Sequence, residues 1–137
     1  MMRKADFPTQ FRSSVAGAAL LIALSSPAVA GDYGKEVSTA SDHAGYAAIS
    51  ETIADAHAHL HRTINCLVGP KGAGFDATAE NPCQGQGDGA MADTTDAANK
   101  QVLENAVTRA QAGLASDDLG TATSAGADVQ AILEQAM

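Results

Sequence analysis

Between residues 41 and 68, Tyr46, Ile49, Ile53, Ala56, Leu60, Ile64 and Leu67 recur every three or four positions. That spacing returns an apolar side chain to the same side of an α-helix, whereas a half-buried strand needs every second position. Residues 41–68 therefore read as one helix of about seven turns with a single buried stripe. Ser41 or Ser38 can cap its start, and Gly69-Pro70 ends it, glycine as C-cap and proline as a stop. Gly45 weakens the opening turns by about 1 kcal/mol relative to alanine.

Two further segments carry the same period. Thr94 or Thr95 starts a helix with Asp96 in its first turn, striped by Leu103, Ala106, Val107, Ala110 and Leu114. Ser116-Asp117-Asp118 breaks it and caps the next, where Leu119, Ala122, Ala125, Val129, Ile132 and Ala136 share a face. The short connection makes these two antiparallel, and Ala110, Ala122, Ala125 and Gly126 let them approach closely. The expected fold is all-α: a small antiparallel bundle of three main helices, preceded by a flexible N-terminus at 31–40.

Residues 69–94 have no sustained period and are rich in glycine, which reads as loop. A loop of that length inside a compact domain is uncommon unless it is tethered or functional. The chain has two cysteines, Cys66 at the end of the first helical stripe and Cys83 in the loop. A Cys66–Cys83 disulfide would close about 17 residues and stabilise by roughly 3 kcal/mol in the chain-entropy account. Two thiolates on a soft metal are the competing reading, but the spacing is not that of a CxxC site. Phe75 and Met91 suit plugs over the end of the core. A staple matters here because the core is thin: tryptophan is absent and aromatics make up only 4% of the chain.

The oxidising compartment that a disulfide needs is foreshadowed at the N-terminus. Arg3, Lys4 and Arg12 precede an apolar run from about Val15 to Leu24, then Pro27, Ala28, Val29 and Ala30. Small residues at Ala28 and Ala30 suit a signal peptidase, so residues 1–30 read as a signal peptide cleaved before Gly31. The run is shorter than the roughly 20 residues that span a bilayer, so no stable membrane insertion is expected after cleavage. Residues 31–137 form one domain, destined for the periplasm or secretion. The whole chain carries 8 basic and 16 acidic side chains. Without Arg3, Lys4, Arg12 and Asp6, 5 and 15 remain, a net charge near −10. So acidic a surface disfavours nucleic acid and anionic membranes and attracts cations.

All four histidines, His43, His57, His59 and His61, fall in the first helical segment, three of them in DAHAHLHR. On a regular helix, His57 and His61 lie one turn apart on one side, while His59 points about 200° round from His57. A single HxHxH ligand set therefore fails, and a His57/His61 clip is the primary metal candidate. Further ligands would come from Glu104, Asp93, Asp88, Met91 or a second molecule. His43 lies about 20 Å up the axis of a continuous helix, and His59 is one turn from Asp55, so both are secondary candidates. Copper, nickel and zinc all suit imidazole, with Met91 tilting the choice slightly to copper.

The stretch ENAVTRAQAGLASDDLGTATSAGADVQAIL, with DAHAHLHR before it, resembles small periplasmic histidine-rich helical proteins that bind copper or nickel. The resemblance implies a metal-scavenging role for His57 and His61. The hairpin at 105–133 itself carries no histidine.

Catalytic signatures are missing. There is no C-x-x-C-H for covalent haem, no H-E-x-x-H, no G-x-S-x-G elbow, and GPKGAG lacks the ending of a phosphate loop. Ser41, Asp42 and His43 are adjacent, which does not make a triad. Asp76, Glu80, Asn81 and Asp88 could offer oxygen to calcium, but not at EF-hand spacing. No enzyme is expected. Two functions remain: a periplasmic transition-metal-binding or sequestering protein using the His57/His61 clip, or a non-catalytic helical adaptor of the cell envelope with an unidentified protein partner and incidental histidines.

Overall fold

The computed structural model describes residues 30–137; the leader read from the sequence, Ala30 excepted, lies outside them. Among the described residues the fold is all-helical, with α1 (Tyr33–Ala48), α2 (Ile53–Val68), the single turn α3 (Ala90–Asp93), α4 (Ala97–Leu114) and α5 (Leu119–Leu133). A 3-10 turn, Glu134–Ala136, follows α5.

The stripe expected to form one helix over 41–68 is divided between α1 and α2, which fold back on each other. The break lies at 49–52. Ser50 Oγ donates to the Tyr46 carbonyl at 2.9 Å. Thr52 Oγ1 accepts the Asp55 N–H at 3.1 Å and donates to Asp55 Oδ2 at 2.7 Å, a cap reinforced from the first turn. These side chains offer the backbone partners outside a helix, and that local competition overrides the apolar spacing. Ile49, which continues the stripe on paper, is 76% exposed at the corner.

The segment at 31–40, expected to be flexible, is instead helical from Tyr33 onward. Asp32 caps it, accepting the Lys35 N–H at 3.0 Å. Val37, Ala40, Ala44 and Ala47 bury its inner face. Alanine-rich, it gave a weak periodic signal but packs closely. Helix α5 starts as its sequence suggests, Asp118 accepting from the Thr121 N–H at 2.8 Å. Helix α4 starts later than Thr94 or Thr95, because Asp96, expected in the first turn, is itself the cap and accepts from the Asn99 N–H at 2.9 Å.

Four long helices result, where three were expected. Their packing neighbours form a ring: α1 against α2 and α5, and α4 against α5 and α2. Leu60, Ile64, Leu67, Leu103, Val107, Val129 and Leu133 fill the centre. Gly126 permits the closest approach, because a Cβ there would sit 2.7 Å from Ala48 N and 2.8 Å from the Ala44 carbonyl oxygen. Its contact is with α1, not with α4 as the hairpin reading had it. The α4–α5 approach uses Gly113, where a Cβ would meet Ala125 Cβ at 2.6 Å.

The stretch between α2 and α3 is a succession of turns fastened to α2. Cys66 and Cys83 form a disulfide with their Cα atoms 5.1 Å apart. Buried Asn65 accepts the Asp76 N–H at 2.8 Å and donates to the carbonyls of Asp76 (2.9 Å) and Glu80 (3.2 Å). One amide side chain thereby adds to the loop's own turn hydrogen bonds the ones that tie it to α2. Phe75 and Met91 pack on the core from outside.

Candidate functional site

Folding the first stripe into a hairpin changes which histidines meet. His43 on α1 and His59 on α2 stand face to face, Nδ1 to Nδ1 at 3.0 Å, with the rings stacked at 5.3 Å between centroids. The 20 Å separation expected of a continuous helix does not exist, because the chain reverses between them. Tyr46 closes the group, edge-on to His43 at 5.6 Å and tilted over His59 at 5.4 Å. Thr63 locks the spacing beneath, its hydroxyl donating to the carbonyls of Ala40 on α1 and His59 on α2.

Two Nδ1 atoms at 3.0 Å suit one proton between them: with both rings neutral, one imidazole donates Nδ1–H and the other accepts, which makes them opposite tautomers. Burial lowers the pKa of both His43 and His59. The other ring and Arg62 lower that of His43 further, and Arg62 that of His59. Both rings are thus held toward the neutral form, the one that carries a lone pair for a metal. Arg62 pairs with Glu80 through one nitrogen, and its other terminal nitrogen lies 3.5 Å from His59 Nδ1, the atom that faces His43.

His57 and His61 are on α2 as expected, but each is turned to its own partner. His57 Nε2 donates to the Ser116 carbonyl at 2.9 Å, tying α2 to the α4–α5 turn. His61 Nδ1 lies 3.2 Å from Asp76 Oδ2, tying α2 to the loop. Thr78, through its hydroxyl and its backbone N–H, holds Asp76 below the usual carboxylate range, with His61 a smaller influence. The further ligands suggested by sequence lie elsewhere. Asp88, Met91 and Glu104 line an open cleft of about 660 Å³ with Val68, Lys71 and Val107, and Asp93 lies beside Glu36. Among the described residues no three His, Cys, Asp or Glu side chains converge to hold a metal ion.

The oxygen groups considered for calcium are also separately engaged. Asp76 is turned to Thr78 and His61, Glu80 to Arg62, Asn81 to the Cys83 N–H and Asp88 to Lys71. No helix of the described residues is long and apolar enough to cross a membrane.

The pairing of His43 with His59 was missed in the sequence because the α1–α2 break was missed. The signal was present in Thr52-x-x-Asp55, a capping box directly ahead of DAHAHLHR. In comparisons with known proteins, no family model, curated protein or solved structure matches this chain.

Proposed function

We propose that this domain is a non-catalytic transition-metal-binding protein of an extracytoplasmic compartment, and that His43 and His59 hold the ion. The observation that carries the reading is the 3.0 Å separation of their Nδ1 atoms. At metal–imidazole bonds of about 2.0 Å, adjacent ligands stand about 2.8 Å apart in a square plane and about 3.3 Å apart in a tetrahedron. Replacing the shared proton by an ion therefore needs little change in the separation of the two nitrogens; the donor ring moves its proton to Nε2, and both rings turn their Nδ1 lone pairs toward the ion. The neutral rings and the acidic surface both favour a cation, and copper(II) and nickel(II) suit nitrogen ligands on a square edge. Water or a second molecule completes the coordination. The His57/His61 clip is the competing site, and using it requires both rings to leave Ser116 and Asp76.

An adaptor reading is favoured by a different observation. Tyr46 and Ile49 are 51% and 76% exposed at the α1–α2 corner, an apolar contact beside the histidine pair.

Calorimetric titration of the exported protein with copper(II), nickel(II) and zinc(II) separates these possibilities. One ion per chain at submicromolar affinity, lost in His43→Ala/His59→Ala and kept in His57→Ala/His61→Ala, supports the paired site. The opposite pattern returns the role to the clip. Weak binding indifferent to both double variants would sink metal binding and leave the Tyr46–Ile49 corner as the functional surface.

A further inference from the structure

At the other end of α1 the protein buries a carboxyl group for which nothing above accounts. Glu36, in the first turn of α1, is fully buried. Its Oε1 accepts the Gly89 N–H at 2.9 Å, while its Oε2 is buried without a hydrogen-bond partner. Burial foremost, then Asp93 and Asp32, push the Glu36 carboxyl up to about 7 against the opposing pull of the Gly89 N–H. Asp93, at the end of α3, accepts the Asp88 N–H on Oδ2 at 2.8 Å. Two carboxyl groups thus face each other, and none of the lysine and arginine ion pairs among the described residues includes either of them.

The backbone that closes over this pair is residue 31. A Cβ placed on Gly31 would fall 1.7 Å from Asp93 Oδ2. One placed on Gly87 would fall 2.1 Å from Asp93 Oδ2, 2.7 Å from Glu36 Oε1 and 2.8 Å from Gly31 Cα. Gly31 is therefore seated directly on the Asp93 carboxyl, and Gly87 leaves room for it beside Glu36. The Asp32 N–H donates to the Gln86 carbonyl at 2.8 Å, which fixes the chain there. The residue so placed is the one expected to become the first of the exported chain.

We propose that cleavage between Ala30 and Gly31 creates an α-ammonium group that ion-pairs with Asp93 and Glu36, completing this end of the fold. The inference rests on the leader reading and not on the metal site. In the hydrolysis, which a signal peptidase would carry out, water attacks the Ala30 carbonyl carbon. A C–O bond forms, the C–N bond breaks, and Ala30 leaves as a carboxylate. The nitrogen of Gly31 keeps the electron pair, becomes a primary amine and is protonated at neutral pH. That nitrogen is one bond of about 1.5 Å from the Cα already in the site. The ammonium supplies donors for the orphaned Oε2 and a positive charge beside the buried Glu36 and the half-buried Asp93; an unpaired buried carboxylate is otherwise costly. Cleavage would thus replace an uncompensated carboxyl pair with a compensated one, so that processing and final folding are linked.

The test begins with the full precursor exported from a host with a signal peptidase, followed by intact mass measurement and NMR titration of the α-amine. A chain beginning at Gly31, with an α-amine pKa at least about one unit above the ordinary 7.7–8.0, is the expected result. Glu36→Gln and Asp93→Asn should each bring that pKa back toward the ordinary range. Acetylating the α-amine should lower Tm in the wild-type protein more than in Glu36→Gln. A chain beginning at another residue, or an α-amine titrating in the ordinary range in the wild-type protein, would overturn the proposal without bearing on metal binding.

Discussion

Glu36 sets the clearest residue-scale expectation for pH. While Ala30 remains attached, the carboxyl pKa rises from 4.5 to about 7 on folding, chiefly because burial disfavours the anion. The folded state then holds a proton that the unfolded state has released, so folding is favoured below pH 4.5 and progressively loses stability up to about 7. His43 and His59 act in the opposite sense. Their lowered pKa values mean that stability is lost as pH falls through 6.5 toward the folded values. The two effects overlap, so the quantity to measure is the difference between the precursor and its Glu36→Gln variant in denaturant unfolding from pH 4 to 8. That difference should move in favour of the variant as pH rises. A pH-independent difference would mean that the Glu36 carboxyl titrates alike in the folded and unfolded chain.

At the scale of elements, helix ends and close approaches decide what the apolar stripes leave open. Two glycines in α5 distinguish a packing role from a merely tolerated one. A methyl group at Gly126 would meet the backbone of α1 at 2.7–2.8 Å, whereas at Gly120 its nearest neighbour is Asp118 Oδ1 at 3.4 Å. Glycine to alanine in a helix gains up to about 1 kcal/mol of propensity, while overpacking against backbone costs about 1–3 kcal/mol. Gly120→Ala should therefore raise Tm slightly and Gly126→Ala should lower it, both read by thermal unfolding. If Gly126→Ala were neutral or stabilising, the α1–α5 contact would be looser than described. The α1–α2 corner shows the same logic in reverse. Ile49 fits the stripe numerically, but Ser50 and Thr52 each find a backbone partner there, and the helix stops.

For the whole molecule, the Cys66–Cys83 link and Asn65 together hold a long turn-rich segment on α2. Breaking the link by Cys66→Ser/Cys83→Ser should cost about 3 kcal/mol in the chain-entropy account, measured as the shift in denaturant midpoint at constant slope. It should also loosen the contacts this segment makes to α2 through Asp76–His61 and Glu80–Arg62. Faster amide exchange confined to residues 70–89 would register that release. Unchanged exchange would assign the fastening to Asn65 alone.

What the sequence determined by itself were features written into local spacing. The 3.6-residue stripes specify helices, Gly69 and Asp118 specify ends, and two cysteines in one chain specify their pairing. Each depends on residues near one another in the chain or on there being a single available partner. Helix number was partly legible: the Thr52–Asp55 cap announced a new helix, although the apolar period ran straight across it. The histidine pair and the carboxyl pair were decided only in three dimensions. His43 meets His59 because a four-residue corner reverses the chain, and Glu36 meets Asp93 because the tethered segment brings α3 against the start of α1. The physical reason is that periodicity reports which face of a helix is buried, but not which other face lies opposite it. That choice belongs to packing, where small residues such as Gly126 and Ala44 let particular helix backbones touch.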